Sequence, residues 1–341
     1  MRASSLAISI VCGPVVCCYV VFAACFCPGR LQRHTESDDK KRFERRQKVA
    51  PRPLPIRPPE RCLTLPACLS EKAARSATAP KGKTFEQTQS RLLQLPLELR
   101  RMIYREVLGD KTMHIVLKEN RLGHLRCKAP SSIECPLGYN GRSLSRECCW
   151  GTVDSANIWC PRNGERKRTD GDILPFLQSC RQIYSESIDT LYSTNTFSFS
   201  DLDCLRYFSC TILPSRFALI TMLDVEWCMS WPIYDTTAQN LLLTNPALYP
   251  PNDEATWEAT WRIIADMPSL KFIRASLLYF DGFRDTACES KMLAPLFSVT
   301  KPDKENFEVH VSWGGDEFPD APFTLLRPMV RDTLSSDDEA W

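Results

Sequence analysis

The stretch Leu92-Leu-Gln-Leu-Pro-Leu-Glu-Leu-Arg-Arg-Met-Ile-Tyr-Arg-Glu-Val-Leu-Gly109 is the most informative feature of this chain. Pro96 can occupy the first helical position, where its missing N–H costs nothing. Gly109 can close the helix in a left-handed conformation. Between these two residues, apolar side chains recur at helical spacing at Leu99, Met102, Ile103 and Val107. The stretch therefore predicts a helix with one apolar face that requires a partner to bury it.

A second block, LPFLQSCRQIYSESIDTLYSTNTF at residues 174–197, predicts the central core helix of the fold. Pro175 stands near its start. Its apolar face carries Leu177, Cys180, Tyr184, Ile188 and Leu191. Asn195 suits a left-handed turn, and residues 196–199 then predict a short strand.

In order and spacing, the two blocks resemble a group of filamentous-fungal proteins that carry a domain of unknown function. In that group an F-box-like helix precedes a "CRQIYxE…LYxxNTF" helix, and the resemblance covers residues 91–315. It implies no biochemical activity. The F-box-like part implies a protein partner, a Skp-type adaptor in a complete F-box, contacted by Leu95, Pro96, Leu97, Leu99 and Ile103. A complete F-box continues with further helices, whereas residues 110–117 predict a strand.

Three further strands are predicted, and each follows a predicted helix. The strands span residues 223–227, 272–279 and 307–313, and the helices span residues 201–210, 254–266 and 284–299. This alternation predicts an α/β (α+β) fold: an F-box-like helix followed by a small, mainly parallel sheet with packed helices, similar to an irregular leucine-rich-repeat unit. Residues 119–172 show little periodicity and predict a cysteine-containing insertion within a domain of residues 91–331.

The two ends of the chain differ from the domain. Residues 6–27 carry no charge and are long enough to span a bilayer as a helix. The basic residues that follow predict a single-pass anchor (residues 1–28) with the domain in the cytosol. A cleaved signal peptide is one alternative. Another is that the segment is neither an anchor nor a signal, which leaves the protein in the cytoplasm or nucleus. Residues 29–90 predict a basic, proline-rich disordered linker, and residues 332–341 an acidic disordered tail.

Charge and composition argue against several function classes. Residues 1–91 hold 17 Lys and Arg against 7 Asp and Glu, whereas residues 92–341 hold 26 against 34. An acidic domain is a poor surface for specific nucleic-acid binding. The sequence has only 13 glycines and 4 histidines, and it contains no phosphate-binding glycine loop, no His-Glu-x-x-His helix and no Gly-x-Ser-x-Gly elbow. These features predict no catalytic residues and no cofactor.

Three groups of residues could have a functional role instead of a structural one. His124 and five cysteines of the insertion could hold zinc, but no Cys-x-x-Cys pair is present, so no metal site is predicted. Arg181, Tyr184 and Glu186 invite a catalytic role, although charges on an amphipathic helix are more often structural. Three tryptophans near strand ends fill the core, or line a ligand pocket or a partner groove; they are Trp227, Trp231 and Trp313.

The sequence favours a non-enzymatic protein–protein interaction module with an F-box-like element, tethered to a membrane if residues 6–27 form an anchor. Two alternatives remain open. One is a substrate receptor of a Skp/cullin-type ubiquitin ligase. The other is a secreted or endomembrane protein whose cysteines pair as disulfides.

Overall fold

The fold is that of a computed structural model, which describes residues 40–53, 89–127, 152–153, 159–160, 173–229, 233–234, 253–279, 286–315 and 317–327. Residues 40–49 form helix α1. The later helices are α2 (Leu97–Leu108), α3 (Ile173–Gln178), α4 (Arg181–Ser193), α5 (Leu202–Thr211), α6 (Pro214–Phe217), α7 (Glu254–Ala265) and α8 (Thr286–Leu293). Two 3-10 helices, Ala294–Ser298 and Lys304–Asn306, lie between α8 and the strand after it.

Seven of the described strands form one sheet. Its members are β1 (Thr112–Lys118), β2 (Arg121–Arg126), β5 (Thr196–Phe199), β6 (Met222–Cys228), β7 (Phe272–Leu278), β8 (Phe307–Val311) and β9 (Thr324–Leu326), in the order β2-β1-β5-β6-β7-β8-β9. Within this seven-stranded sheet, β1 and β2 pair antiparallel and every other neighbouring pair is parallel. The α/β fold with a mainly parallel sheet is thus confirmed, with more strands than expected.

The two faces of the sheet carry different side chains. Alternate residues of each strand enter the hydrophobic core, as Leu223, Val225 and Trp227 do on β6. The residues between them form a polar row across the sheet, in which Asp224 and Arg274 are paired in register. This alternation is the period-two pattern from which the sequence predicted β6, β7 and β8.

The central helix of the second block is divided in two. Helix α3 ends at Gln178 and α4 begins at Arg181, so the predicted single helix is wrong. Cys180 is extended, with φ −157°, and its Sγ accepts a hydrogen bond from the Ile183 N–H at 3.4 Å. A residue that caps a new helix cannot also continue the preceding helix, so the chain breaks at Cys180. The helical spacing of apolar residues runs across this break, and the spacing therefore did not reveal it.

Residues 40–53 lie against the domain, although they fall in the predicted disordered linker. Arg46 on α1 is buried, and its Nη2 lies 3.0 Å from Asp201 Oδ2 and from Asp203 Oδ2. The carbonyl of Val49 accepts a hydrogen bond from the Asn120 N–H at 2.7 Å. The linker prediction is therefore wrong for these residues: charge composition suggested disorder, but two carboxylates at the start of α5 bind the arginine.

Several predicted features lie outside the described residues. They include the 6–27 segment, residues 54–88, most of the 119–172 insertion and the acidic tail. Two short paired strands, β3 (Thr152–Val153) and β4 (Trp159–Cys160), are the described part of that insertion after β2. Within the described ranges, no helix is long and apolar enough to cross a bilayer.

A candidate docking face on helix α2

Helix α2 is the helix predicted from the first sequence block, and its inward side is well packed. Tyr104 and Leu108 are fully buried. The helix begins at Leu97, so Pro96 is the residue before the first turn and not the first helical residue; its carbonyl accepts the hydrogen bond from the Arg100 N–H. These contacts fix the inward side of α2 against α4, with which it shares an extensive interface.

A cluster of polar groups joins α2 to α4. Arg100 donates two hydrogen bonds of 2.8 Å to the two carboxylate oxygens of Glu186. Tyr104 donates from its hydroxyl to the same carboxylate at 2.8 Å, and Gln182 donates from its side-chain amide at 3.0 Å. A further guanidinium nitrogen of Arg100 donates to the Leu95 carbonyl at 2.6 Å. Glu186 is therefore the acceptor that holds the helix in place.

This cluster also sets the protonation of its members. Burial alone would raise the pKa of Glu186, but hydrogen bonds from Arg100, Gln182 and Tyr104 outweigh it and lower that pKa. Burial and the hydrogen bond to Glu186 raise the pKa of Tyr104 well above its ordinary value. The carboxylate is therefore ionised and the phenol neutral at physiological pH, as their hydrogen bonds require.

Asn195 makes the second joint between the two sequence blocks. Its side-chain amide donates to the carbonyls of Leu108 at 2.6 Å and Leu191 at 2.8 Å, and its oxygen accepts from the Lys111 N–H at 2.8 Å. It thus satisfies backbone groups at the ends of α2 and α4 and ahead of β1. The predicted left-handed turn at Asn195 is wrong, because the described residues other than glycine that have positive φ are Asp110 and Asn120.

Gly109 is extended, with φ −97° and ψ 177°, so its predicted left-handed conformation is wrong too. The left-handed residue is Asp110, with φ 53°. A Cβ on Gly109 would lie 2.5 Å from Thr194 Oγ1 and 2.8 Å from the Arg105 carbonyl oxygen. Glycine is needed there for the close approach of α2 to the end of α4.

The outward side of α2 exposes large apolar side chains. Leu99 is 46% exposed, Met102 68% and Ile103 36%. Leu95 and Leu97 are half-buried next to them, and Pro96 is exposed. We call the set Leu95, Pro96, Leu97, Leu99, Met102 and Ile103 the docking face. The structure therefore places the five predicted partner-binding residues together at the start and along one side of α2, and it adds Met102.

Val107, the fourth member of the predicted apolar face, behaves differently. It is half-buried and packs against the hydrophobic core. Charged residues border the exposed part: Glu98, Arg101 and Glu106 are exposed, and Arg105 forms an exposed ion pair with Asp110. The docking face is thus an apolar strip with charges of both signs at its rim, which is a common arrangement in protein interfaces.

The other candidate residues have structural surroundings. Trp227 and Trp313 are almost fully buried; Trp227 stacks on Trp257 at 4.6 Å, and Trp313 donates its Nε1–H to Glu289 at 2.7 Å. Trp231 lies outside the described residues. Among the described cysteines, Cys180, Cys204 and Cys210 are free thiols. The described part of the chain contains no group of three or more potential metal ligands.

Comparison with known proteins gives one match. A family model described as a domain of unknown function, DUF7730, matches residues 85–318. No curated protein and no solved structure matches this chain. The matched range contains both sequence blocks and the whole of β1 to β8.

Proposed function

We propose that this chain, which belongs to the DUF7730 family, is a non-enzymatic protein-interaction module whose docking face binds an apolar groove on a partner protein. The observation that supports this is the difference between the inward and outward sides of helix α2. Glu186 and Asn195 hold the inward side of α2 firmly, while three large apolar side chains stand on its outward side.

The exposed side chains have a spacing that suits such a partner. Leu99, Met102 and Ile103 are related as i, i+3 and i+4, so they project from one side of the helix. Recognition of an amphipathic helix by a hydrophobic groove uses this set of anchor positions. Because α2 is already fixed to the domain, little conformational entropy is lost when the partner binds.

The free energy available from this face can be bounded. Full burial of a leucine, isoleucine or methionine side chain contributes about 1.5–3 kcal/mol. At the exposed fractions of Leu99, Met102 and Ile103, complete burial of the docking face contributes roughly 2–5 kcal/mol. Association itself costs about 4–15 kcal/mol. A stable complex therefore requires that the partner also contacts the charged rim and neighbouring surface.

A second candidate function is that of a substrate receptor in a Skp/cullin-type ubiquitin ligase. Its support is the F-box-like order Leu95-Pro-Leu97 together with the exposure of Leu99 and Ile103. In this case the partner groove belongs to a Skp-type adaptor. Strand β1, which follows α2 almost directly, leaves no room for the further helices of a complete F-box at this point.

Site-specific photo-crosslinking of the full chain tests the first proposal. A benzoylphenylalanine in place of Met102 should crosslink one protein, whereas the same group in place of Leu213, which is 42% exposed elsewhere, should not. The crosslinked protein is then purified and titrated with the chain. The double variant Leu99→Asp/Met102→Asp should bind it roughly 30-fold more weakly or worse, and Leu213→Asp should bind it normally.

Two results separate the alternatives. Equal affinity of the Leu99→Asp/Met102→Asp variant and the unmodified chain contradicts the docking face as the binding surface. Titration with a purified Skp-type adaptor tests the second candidate alone: binding that is lost in Leu97→Ala/Ile103→Ala supports it. An adaptor that does not bind the unmodified chain rejects it and leaves the first proposal to the crosslinking result.

A further inference from the structure

Residues 40–53 contact the domain in the manner of a bound peptide. They lie outside the range 85–318 that the family model matches, and residues 54–84 separate the two in the sequence. Among the described residues, the buried side chains that form the hydrophobic core all lie between Leu108 and Phe323. The core is therefore built without this segment, which packs on it from outside.

One side chain of this segment, Arg46, is inserted into the surface of the domain. It is only 7% exposed. Its Nη2 donates hydrogen bonds to both carboxylate oxygens of Asp201, at 3.1 and 3.0 Å, and to Asp203 Oδ2 at 3.0 Å. Arginine is one of the residues that contribute most of the binding free energy at protein interfaces. Arg46 is thus the anchor of the segment.

The two carboxylates that receive Arg46 need a cation between them. Burial, together with the charge of Asp201, raises the pKa of Asp203 to about 6, although Arg46 and Arg206 oppose this shift. Arg206 donates to the other oxygen of Asp203 at 3.1 Å, but its own side chain is 40% exposed. Two neighbouring buried carboxylates repel each other unless a further cation pairs with them. The start of α5 therefore selects a positively charged ligand.

The backbone and two apolar side chains also hold the segment. The carbonyl of Val49 accepts a hydrogen bond of 2.7 Å from the N–H of Asn120, which has φ 59° in the turn between β1 and β2. The Val49 side chain is half-buried and packs against the core, and Pro51 is buried. In peptide recognition, main-chain hydrogen bonds give affinity and side-chain contacts give specificity. Here these contacts follow the order Arg-x-x-Val-x-Pro.

From these contacts we infer that α5 and the turn between β1 and β2 form a binding site for peptides of the form Arg-x-x-Val-x-Pro, and that residues 40–53 occupy it in cis as a displaceable ligand. A competing peptide has to provide an arginine for Asp201 and Asp203 and a carbonyl for Asn120. The site is closed to such a peptide until the chain's own segment leaves. It shares no residue with the docking face, so its test is separate from that of the proposed function.

Fluorescence polarisation with a labelled peptide tests the inference on the full chain. The peptide is KKRFERRQKVAPRP, the sequence of residues 40–53. The vacated variant is the full chain with Arg46→Ala/Val49→Asp, whose own segment lacks its anchor and its apolar contact. We expect saturable binding of the peptide to the vacated variant and intermediate affinity for Arg46→Ala alone. The unmodified chain should bind it at least about tenfold more weakly, because a tethered segment competes at a high effective concentration.

Changes on either side of the contact should weaken binding to the vacated variant. A peptide with Arg46→Ala should bind at least about tenfold more weakly, whereas a peptide with Lys48→Ala, an exposed position in the folded chain, should bind normally. Adding Asp201→Asn and Asp203→Asn to the vacated variant should cause a loss similar to that of Arg46→Ala. Asparagine preserves the helix cap that Asp201 makes with the Asp203 N–H, and circular dichroism of each variant confirms its fold.

A scrambled peptide of the same composition is the matched control, because the acidic residues 92–341 attract any basic peptide. Equal binding of the scrambled peptide overturns the inference. So does an absence of saturable binding to the vacated variant at up to about 1 mM peptide, since residues 40–53 are then held only through their tether. Equal affinity for the vacated variant and the unmodified chain overturns it as well, and so does unchanged binding after both carboxylates are replaced.

Discussion

Replacing Glu186 with alanine tests whether one carboxylate fixes helix α2 to the domain. In the folded protein this carboxylate accepts two hydrogen bonds from Arg100, one from Tyr104 and one from Gln182, all between 2.8 and 3.0 Å. The side chains of Arg100 and Glu186 are only 12% and 17% exposed. The substitution leaves a guanidinium, a hydroxyl and an amide without their shared acceptor.

The expected loss of stability follows from that burial. Removal of one partner from a buried ion pair costs about 3–5 kcal/mol. Because water still reaches both side chains, we expect the lower end, about 3 kcal/mol. For a domain of this size such a loss lowers Tm on the order of 6–12 °C. The measurement is urea and thermal unfolding of the full chain, followed by circular dichroism.

Two variants serve as controls for the Glu186→Ala experiment. Glu186→Gln keeps the side-chain volume and one oxygen acceptor, so it should cost less, about 1–2 kcal/mol. Arg105→Ala breaks an ion pair of 2.9 Å on the same helix, but both of its side chains are more than half exposed. It should leave Tm unchanged. A loss below about 0.5 kcal/mol for Glu186→Ala would refute the role assigned to this carboxylate.

Three further outcomes are expected. The pKa of Glu186 is lowered in the folded protein, so this carboxylate stabilises the fold above its unfolded-state pKa, near 4.5, and the stabilisation is lost as pH falls through the folded-state pKa. The free energy of unfolding should therefore decrease less steeply with falling pH in Glu186→Gln than in the unmodified chain. Arg46→Ala should increase amide hydrogen exchange across residues 40–53, whereas Lys48→Ala, an exposed position, should not. Gly109→Ala should lower the free energy of unfolding by about 1–3 kcal/mol, since its Cβ would lie 2.5 Å from a threonine oxygen; an unchanged urea midpoint would contradict that close approach.

Local sequence patterns predicted those elements whose own residues carry the signal. The spacing of apolar residues gave α2 and α7, and alternation gave β6 and β8, each within two residues of its observed ends. Strand β2, Arg121-Leu-Gly-His-Leu-Arg126, was missed because an edge strand with charged ends shows no clear alternation. It pairs antiparallel with β1 as a hairpin, and the turn between them contains Asn120, with φ 59°. An asparagine in such a turn is a local hairpin signal, which the interpretation of this segment as an irregular insertion missed.

The candidate site was predicted in part for a related reason. The position of the docking face follows from local spacing, but its exposure depends on which side of α2 the domain covers. That choice is made by Arg100, Tyr104 and Leu108, which meet Glu186 and Asn195 across more than 80 residues of sequence. No window of sequence contains both ends of these contacts, so the pattern could not show which side faces inward.

The same contacts explain why the apolar side of α2 faces outward. Turning that side inward would bury Leu99, Met102 and Ile103 and gain at most a few kcal/mol. It would also take Arg100 and Tyr104 away from Glu186, which costs about 3 kcal/mol or more, and it would remove Leu108 from the core that buries it fully. The outward arrangement is therefore stable on its own, and the free energy of the apolar side remains available to a partner. A face that the domain cannot cover by itself is what the proposed interaction function requires.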